Sequence, residues 1–404
     1  MNILLVTQYF FPENTRANEL AESLSNKGHK VTVLTGLPNY PGGDFFEGFS
    51  FFKFKKKSTY KSLKIIRCRM TPRKSGSSFF LFLNYLSFMI FASLKVLFLK
   101  KQNFHVSLVF AVSPITVAIP ALVLKFIKKT PLSIWVQDLW PESVIESKKF
   151  NSKIGYIILE KLVKFIYDKS DSILVSSNGM INAINERGIN LNKIVFLPQW
   201  AEDIFEDWII RKKNGISMPN GLNITFAGNI GGAQDIPSIL KASELLRENK
   251  NINFNFIGSG SVYSWLKEEI LERGLSDTVH TFGSFPLKFM PYFFEKSDAL
   301  LVTLKKSHIW SITIPGKIQP YLLSGKPILT MLDGEGSKLI DNAKAGLTAK
   351  SGDYGTLVKN ILEIESYSCE KRNEMGKNGA SFYKQKFLKE KSLSKLETIL
   401  ENIV

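Results

Sequence analysis

The chain has 404 residues, of which 44% are hydrophobic and 22% are charged. This ordinary globular composition excludes collagen, disordered tails and disulfide-stapled miniproteins, and the length predicts two or three domains. The cysteines, Cys68 and Cys369, lie too far apart in sequence for a disulfide framework or a zinc ribbon, and no two histidines have the i, i+4 spacing of a helical metal site.

The formal net charge of +17 is concentrated in the first half of the chain. Residues 1–200 hold 27 basic and 12 acidic residues, whereas residues 201–404 hold 26 and 24. Each half has 22 lysines, so a general bias toward lysine does not explain the difference. Between Gly48 and Gln137 there is no acidic residue at all. A one-sided basic surface predicts an anionic partner: a lipid surface, a nucleic acid or a phosphorylated acceptor.

The first half alternates short apolar runs with helical patterns. The first helix is predicted from Leu20, Ala21 and Leu24, which recur at helical spacing before Gly28. Apolar runs separated by helices indicate a parallel sheet that is buried on both faces. The predicted strands are residues 2–8, 29–36, 64–69, 105–112, 131–137, 172–177 and 193–199. Because the chain opens on a strand-like run without the features of a signal peptide, we expect a cytoplasmic protein.

A polar stretch at residues 201–220 interrupts this pattern, and we predict that it is the interdomain linker. A second alternating series follows it, and the stretch from Glu370 to Val404 is predicted to form two helical segments. The strands predicted in this half are LNITFAGN, INFNFIG, VHTFGSF, ALLVTL and KPILTML. The expected fold class is therefore α/β, with two doubly wound, Rossmann-like domains facing a cleft and ligands at the carboxyl ends of the strands.

The apolar segment of residues 79–99 has the length of a membrane span, which needs about 20 apolar residues. Asn84 and Lys95 interrupt it, and it lies between strand-like runs. Three interpretations stay open: a transmembrane span, a buried crossover helix and an amphipathic helix resting on a membrane. Flanking basic residues favour some membrane contact. They are Lys53, Lys55, Lys56, Lys57, Lys61, Lys64, Arg67, Arg69, Arg73 and Lys74 before the segment, and Lys100 and Lys101 after it.

Several catalytic motifs are missing from the sequence. It has no phosphate-binding G-x-x-x-x-G-K-[S/T] loop, no serine flanked by glycines in a nucleophile elbow and no D-x-D metal site. Gly258 and Gly260 begin like a dinucleotide fingerprint, but Tyr263 stands at the third glycine position. These absences disfavour P-loop ATPases, serine hydrolases and most nicotinamide dehydrogenases.

Three strand-to-helix turns of the second half are candidates for binding a phosphate group. Residues 226–235 contain three glycines in five positions before a helix, which suits either a close backbone approach to an anion or a simple tight turn. Residues 314–327 place Pro315, Gly316 and Lys317 at a predicted helix start, although Lys317 could also be a solvated cap, and Pro320 could kink the helix. The third turn contains Gly258 and Gly260, and together the turns are consistent with one nucleotide diphosphate.

In the first half, Asp138 follows a predicted buried strand and is expected at its carboxyl end, facing the cleft. The alternative is that Asp138 caps the next helix. Glu142 is predicted to be a residue of that helix's first turn.

The combination of TQYFFPE, TGLPNYPGG, VQDLWPES, FAGNIGGAQ and PGKIQPYLLSGKPI, in this order, resembles glycosyltransferase family 4. The resemblance covers nearly the whole chain and is closest to the branch that builds bacterial O-antigen, capsule and colanic-type polysaccharides, the WbuB-like group. It implies a GT-B fold with an acceptor domain (1–200), a nucleotide-sugar domain (221–387) and a terminal helix (388–404) that packs back on the first domain. It also implies a hexosyltransferase-type reaction with anomeric retention and without a metal or cofactor.

The sequence departs from the broad family pattern at the residues that usually clamp the diphosphate. Asn229 and Gln234 stand where many members have an arginine and a lysine, and Ile312 and Pro320 stand where many have two glutamates. Gln137 replaces the common histidine before the first-domain aspartate.

Lys317 is therefore expected to be the cationic partner of the diphosphate, helped by the N–H groups of Gly231, Gly232 and Gly316. Asp138 would orient hydroxyl groups or act as a base. The predicted donor-binding residues are Gly228, Asn229, Gly231, Gly232, Gln234, Gly258, Gly260, Pro315, Gly316, Lys317 and Gln319. The predicted acceptor-binding residues are Pro12, Glu13, Asn14 and Trp140.

The expected partners are a nucleotide sugar, UDP-linked rather than GDP-linked, and a polyprenyl-diphosphate-linked saccharide, with no nucleic acid. The basic first domain would dock as a peripheral protein on the cytoplasmic face of the inner membrane. Two alternatives stay open: a sugar-nucleotide epimerase of the same architecture, which needs more acid–base residues than this sequence offers, and a basic nucleic-acid-binding protein, for which no module is visible.

Overall fold

The computed structural model describes residues 1–55, 57–74, 77–99, 102–146, 152–211 and 216–404. Its contacts divide the chain into two compact units. Residues 1–197 and 390–404 form the first unit, and residues 198–389 form the second.

The first unit is built on a mostly parallel sheet. Its strands are β1 (Asn2–Val6), β2 (Lys30–Thr35), β3 (Lys57–Tyr60), β4 (Leu63–Arg67), β5 (Val106–Ala111), β6 (Leu132–Val136), β7 (Ser172–Val175) and β8 (Ile194–Phe196). They lie in the order β3-β4-β2-β1-β5-β6-β7-β8, with only β3 and β4 antiparallel among the described pairs. The predicted parallel sheet is thereby confirmed. Strand β3 is not among the predicted strands, since its KSTY run lacks an apolar pattern.

Helices connect these strands, because a parallel pair of strands needs a crossover connection, which is usually a helix. They are α1 (Arg16–Asn26), α2 (Ser78–Leu97), α3 (Ile119–Lys128), α4 (Glu142–Glu146), α5 (Lys153–Lys169) and α6 (Asn178–Asn185). The centre of the sheet is the core: Leu5 of β1 pairs with Val33 of β2 and Leu108 of β5, and all three side chains are fully buried.

The helix α2 covers the predicted 79–99 segment and connects β4 to β5. It is long and apolar enough to cross a membrane, yet it packs on the first unit along one stripe formed by Asn84, Phe88, Ala92 and Val96. Asn84 anchors it: the Asn84 Oδ1 accepts from the Gln8 amide at 2.7 Å and from the Tyr9 hydroxyl at 3.1 Å.

The rest of α2 is different, since large apolar side chains on its other faces remain exposed. Phe79 is 65% exposed and Leu94 49%. The structure therefore matches a crossover helix that is covered on only one side. Of the flanking basic residues, Lys56, the Lys57 side chain, Lys100 and Lys101 lie outside the described residues.

The second unit contains a fully parallel sheet. Its strands are β9 (Leu222–Ala227), β10 (Ile252–Ile257), β11 (Val279–Gly283), β12 (Ala299–Thr303), β13 (Ile328–Met331) and β14 (Gly346–Ala349), in the order β11-β10-β9-β12-β13-β14. The helices are α7 (Asp203–Glu206), α8 (Ile236–Leu245), α9 (Tyr263–Glu272), α10 (Met290–Glu295), α11 (His308–Ser311), α12 (Ile318–Leu323), α13 (Glu335–Ala343), α14 (Tyr354–Ser366) and α15 (Cys369–Lys386). The prediction missed β14, because its GLTA sequence carries little apolar signal.

Much of the stretch predicted as a linker is packed into the second unit. Helix α7 lies within it, and the buried Phe205 stacks on Phe294 with ring centres 5.5 Å apart. The Lys389 ammonium pairs with Asp203 at 2.5 Å. Most residues of this stretch are polar, so the packing of its few apolar side chains, such as Phe205, was not predictable from the sequence. Residues 212–215 of the predicted linker lie outside the described residues.

The chain ends in α16 (Lys389–Asn402), which corresponds to the predicted helix 388–404. From Glu390 onward it belongs to the first unit. Its Leu396 is fully buried, and Glu397 accepts from the Lys27 ammonium at 2.8 Å and contacts the His29 ring at 2.8 Å.

Candidate active site

Three loops meet at the carboxyl edge of the sheet in the second unit. They follow the neighbouring strands β9, β10 and β11, and backbone hydrogen bonds join them. The Gly228 N–H donates to the Ile257 carbonyl at 2.8 Å, and the Gly258 N–H donates to the Gly283 carbonyl at 2.8 Å. The parallel topology therefore brings two of the predicted phosphate loops side by side.

Several glycines allow this close stacking. A Cβ atom at Gly258 would lie 1.9 Å from the Gly228 carbonyl oxygen, and one at Gly260 would lie 2.4 Å from the Ile230 carbonyl oxygen. Gly228 and Gly258 also have φ angles of 129° and 140°, which favour glycine. Loop packing alone explains these glycines, so their part in binding a donor stays a prediction.

The turn after β9 leaves backbone donors without partners. Among the described residues, no acceptor is bonded to the N–H groups of Gly231 and Gly232. Gly231 is buried, and buried N–H groups in folded proteins are almost always paired. Neighbouring backbone holds the turn in place, because the Lys305 N–H donates to the Ala233 carbonyl at 2.9 Å. This arrangement suits an anionic ligand. Asn229 lies exposed in the same turn.

The Lys317 ammonium lies against this cluster. It donates to the Gln234 Oε1 at 3.2 Å, stands 3.5 Å from the centre of the Phe226 ring and lies 3.7 Å from where a Gly228 Cβ would be. Within the described part of the chain, no carboxylate lies within ion-pair distance of Lys317. The structure thus joins Lys317, Gln234 and Gly228, which the sequence placed far apart.

Desolvation controls the charge of this ammonium. It lowers the pKa of Lys317 to about 7, since no anion among the described residues compensates for the lost water. A phosphate beside this ammonium would supply the missing counter-charge and so favour its protonated form. Lys317 does stand at the N-cap position of α12, as the alternative expected, but its ammonium is desolvated and donates to Gln234.

Helix α12, which follows Lys317, begins later than predicted. Its first residue is Ile318, whose N–H donates to the Pro315 carbonyl at 3.0 Å, so Pro315 and Gly316 precede the helix. Pro320 is the third residue of α12, where the backbone N–H has no intrahelical acceptor. A proline there removes no helix hydrogen bond and is not expected to kink α12.

A tyrosine fixes α12 against the end of β9. The Tyr321 hydroxyl accepts from the Ala227 N–H at 2.8 Å and donates to the Ala227 carbonyl at 3.1 Å. Gln319, on the same helix, is 2% exposed, and its Oε1 has no partner among the described residues. An unpaired buried acceptor of this kind can receive a hydrogen bond from a ligand.

In the first unit, Asp138 lies two residues beyond the end of β6, as predicted. Burial raises the pKa of the Asp138 carboxyl to about 6. Helix α4 begins at Glu142, so Asp138 does not cap it and the alternative role is wrong. Glu142 is in the first turn, as expected, where it pairs with Arg187.

Next to Asp138, the Gln137 side chain is an unsatisfied polar group. Both of its amide atoms are buried without a partner in the described structure. Such a group is costly unless a ligand completes its hydrogen bonds. Gln137 was predicted only as a departure from the family pattern. Its potential as a ligand-binding residue depends on the lack of amide partners among the described residues, which no sequence signal shows.

Trp140 lines the same region of the first unit. Its indole N–H donates to the Ser113 hydroxyl at 3.1 Å, and its ring meets Tyr85 edge-on at 6.2 Å. Burial raises the pKa of the Tyr85 hydroxyl, while nearby Arg73 lowers it and nearby Asp138 raises it. Tyr85 and Arg73 are therefore neighbours of the predicted acceptor site that the sequence analysis did not identify.

The loop of Pro12, Glu13 and Asn14 follows β1. Glu13 is 2% exposed, and its carboxylate accepts from the Phe10, Asn39 and Tyr40 N–H groups at 2.8–2.9 Å. Burial raises the pKa of Glu13 to about 7 against the lowering effect of these bonds. Glu13 thus joins the loops after β1 and β2 instead of presenting a free carboxylate. Asn14 is exposed, and Pro12 is partly exposed.

No group of three or more histidine, cysteine, aspartate or glutamate side chains that could hold a metal ion occurs among the residues described.

Comparison with protein families matches a domain to each half of the chain. Residues 14–201 match the model of Glycosyltransferase Family 4, and residues 206–382 match that of Glycosyl transferases group 1. These are the two domains of a GT-B glycosyltransferase.

Curated relatives of this glycosyltransferase are bacterial. The chain is 28% identical over 239 residues to the probable glycosyltransferase WbjE of Pseudomonas aeruginosa, a match that spans 57% of this chain and 58% of WbjE. It is 22% identical over 350 residues to WcaI of Escherichia coli K12, named a putative colanic acid biosynthesis glycosyl transferase, over 82% of this chain and 83% of WcaI.

Solved structures confirm the fold. HepE of Anabaena, crystallised with UDP and glucose, has a TM-score of 0.70 at 12% identity and covers 99% of both chains. WaaG, a glycosyltransferase involved in lipopolysaccharide biosynthesis, has a TM-score of 0.67 at 13% identity, over 100% of this chain and 99% of WaaG.

Proposed function

We propose that this glycosyltransferase moves a sugar, an N-acetylated or deoxy hexose, from a UDP-linked donor to a polyprenyl-diphosphate-linked saccharide in bacterial surface polysaccharide synthesis. The observation that carries the proposal is the desolvated Lys317 ammonium beside the glycine loops, which has no carboxylate partner among the described residues. The names of the relatives WbjE and WcaI support a polysaccharide pathway, and the HepE complex supports a UDP-linked donor.

Lys317 acts on the leaving group. As the bond between sugar and phosphate breaks, negative charge grows on the diphosphate, and a cation in a site poor in water stabilises it strongly. The N–H groups of Gly231 and Gly232, which have no acceptor among the described residues, add backbone donors to the same anion. The acceptor hydroxyl attacks from the face that the phosphate leaves, and the leaving phosphate takes its proton, so that the anomeric configuration is retained.

Asp138 and Gln137 act on the acceptor. With a pKa of about 6, the Asp138 carboxylate is mostly ionised at pH 7 and can accept a hydrogen bond from a sugar hydroxyl. The unpaired Gln137 amide supplies a donor and an acceptor for a neighbouring hydroxyl. Their role is to hold the acceptor hydroxyl in position for attack.

The first unit also provides the membrane contact in this proposal. Exposed apolar side chains of α2 and the basic excess of the first half suit peripheral docking on the anionic cytoplasmic face of the inner membrane. Binding to vesicles that contain anionic phospholipid should weaken as salt rises. Failure to bind such vesicles at any salt concentration would remove this part of the proposal.

The first experiment is thermal unfolding with a panel of nucleotides and sugar nucleotides, since a ligand that binds only the folded state raises the midpoint. A UDP-linked sugar should raise it, and Lys317→Ala should abolish the shift. Lys338→Ala is the matched control, since Lys338 is exposed on α13 of the same unit. An equal shift in the wild type and in Lys317→Ala would contradict the assigned role of Lys317.

The second experiment measures transfer itself. Donor consumption should require a lipid-linked saccharide, and NMR of the product should show the anomeric configuration of the donor. Turnover of the donor without an acceptor would favour an epimerase, and an inverted product would refute the front-face mechanism.

A further inference from the structure

The first unit contains an apolar groove between α2 and α5 that the steps above leave unused. Its volume is about 400 Å³, within the range of small-molecule sites. We call it the α2–α5 groove. It is lined mainly by large apolar side chains, among them Leu81, Phe82 and Met89 of α2 and Ile158, Leu159 and Leu162 of α5.

The groove is open to the surface. Phe82 is 59% exposed and Ile158 is 63% exposed, although both line its walls. Exposed apolar area of this extent in one place marks an interaction site rather than ordinary surface. Among its described lining residues, the polar side chains are Ser78, Tyr85, Thr116 and Trp140, and the remaining side chains are apolar, so the chemistry of the groove selects a hydrocarbon chain.

One wall of the groove is shared with the acceptor site. Tyr85 and Trp140 both line the groove, and Trp140 donates to Ser113 at the end of β5. Asp138 lies two residues before Trp140 and is close enough to influence the Tyr85 hydroxyl. A ligand in the groove therefore contacts Tyr85 and Trp140, which neighbour the residues proposed to hold the acceptor hydroxyl.

Two cations belong to the loop that precedes α2, and one of them, Arg73, is close enough to influence the Tyr85 hydroxyl. The Arg73 guanidinium lies over the rings of Tyr9 and Tyr40, at 5.7 and 5.2 Å, and the Lys74 ammonium lies 4.1 Å from the centre of the Phe80 ring in the first turn of α2. In the described chain, neither forms an ion pair with a carboxylate. Both cations are therefore available to an anionic group beside the groove.

We propose that the α2–α5 groove binds the first isoprene units of the lipid-linked acceptor, with its diphosphate at Arg73 and Lys74 and its sugar at Asp138. The assignment rests on the proposed function. Tyr85 belongs to the hydrocarbon wall and neighbours both Arg73 and Asp138, an arrangement that suits an amphiphile in which chain, diphosphate and sugar follow one another. A phospholipid acyl chain offers no sugar in that position, and so the occupant is the prenyl chain of the acceptor.

A C15 prenyl diphosphate without sugar is the probe, measured by calorimetry without any donor. Wild-type protein should bind it, and Leu162→Trp, which fills the groove, should bind at least tenfold more weakly. Phe165→Trp is the matched control, since Phe165 lies on α5 outside the groove and is 42% exposed. Met89→Gln changes the opposite wall and should also weaken binding of the probe. With two variants, misfolding of one does not decide the outcome.

Steady-state kinetics give the second readout. With a short prenyl-diphosphate saccharide as acceptor, Leu162→Trp should raise the acceptor KM at least tenfold and leave kcat and the donor KM unchanged. Equal probe binding by Leu162→Trp and wild type, or displacement of the probe by short-chain phosphatidylglycerol as effectively as by the prenyl saccharide, would overturn the inference. Probe binding without transfer to any acceptor would instead refute the proposed function while the groove assignment stands.

Discussion

Lys317 should take up a proton when a sugar nucleotide binds to the second unit. In the free protein, desolvation lowers the pKa of its ammonium to about 7, and the only hydrogen bond it donates within the described structure goes to Gln234. A diphosphate beside the ammonium would favour the charged form and return the pKa to its ordinary value of 10.5 or above. Binding and protonation are therefore linked.

The magnitude follows from these two pKa values. With a pKa of about 7 in the free protein, about one-tenth of the Lys317 side chains are charged at pH 8, and about nine-tenths at pH 6. Binding should thus take up about 0.9 proton per site at pH 8 and about 0.1 at pH 6. The same linkage weakens the apparent affinity about tenfold between pH 6 and pH 8.

Calorimetry in buffers of different ionisation enthalpy measures this uptake directly. A UDP-sugar is the suitable ligand, because its diphosphate has no proton that ionises between pH 6 and 8. Lys317→Met should bind weakly at every pH and take up no proton. Lys317→Arg keeps a charge that does not titrate in this range, so its affinity should not vary with pH.

The reasoning would be refuted if wild-type protein bound the UDP-sugar at pH 8 without proton uptake. An equal uptake by Lys317→Met would also refute it, because another group would then be the one that titrates.

Three further changes test other parts of the structure. Asp138→Asn should abolish transfer, yet raise the free energy of unfolding at pH 8 by up to about 3 kcal/mol. The gain should fall to about 0.5 kcal/mol at pH 4 and vanish only below the ordinary pKa of 3.8, because the raised pKa of about 6 penalises only the ionised form; denaturant titrations at pH 8 and pH 4 measure it. Gly258→Ala should destabilise the second unit and abolish the thermal shift with UDP-sugars, since its Cβ would lie 1.9 Å from the Gly228 carbonyl oxygen. Asn84→Leu should lower the free energy of unfolding by about 2–4 kcal/mol, since it strands the Gln8 and Tyr9 donors; an unchanged denaturation midpoint would contradict this.

The strands were largely predictable from the sequence because buried parallel strands are continuous apolar runs. Runs such as those of β1, β5 and β10 carry this signal within a few residues. Strands β3 and β14 were missed because hydrogen bonds to a neighbouring strand, and not their own apolarity, make them strands. The same limit applies to α7, whose place in the second unit depends on the packing of Phe205 against Phe294.

The candidate site was predictable as residue types at the ends of strands. Glycines, a lysine and an aspartate in those positions indicate phosphate and hydroxyl chemistry, and the order of the strands places the turns after β9 and β10 together. The position of Lys317 against the glycine loops agrees with that expectation, since the Tyr321 contacts hold α12 at the end of β9.

The sequence by itself therefore determined the apolar periodicity, the glycine turns and the charge asymmetry between the halves, because these are properties of neighbouring residues. Only the tertiary structure decided which polar groups lose water and which remain unpaired. Lys317 loses its solvent to loops that are distant in sequence, and Glu13 is satisfied by the N–H groups of Asn39 and Tyr40. Desolvation and hydrogen-bond satisfaction depend on all the atoms around a group, and sequence order specifies few of those atoms.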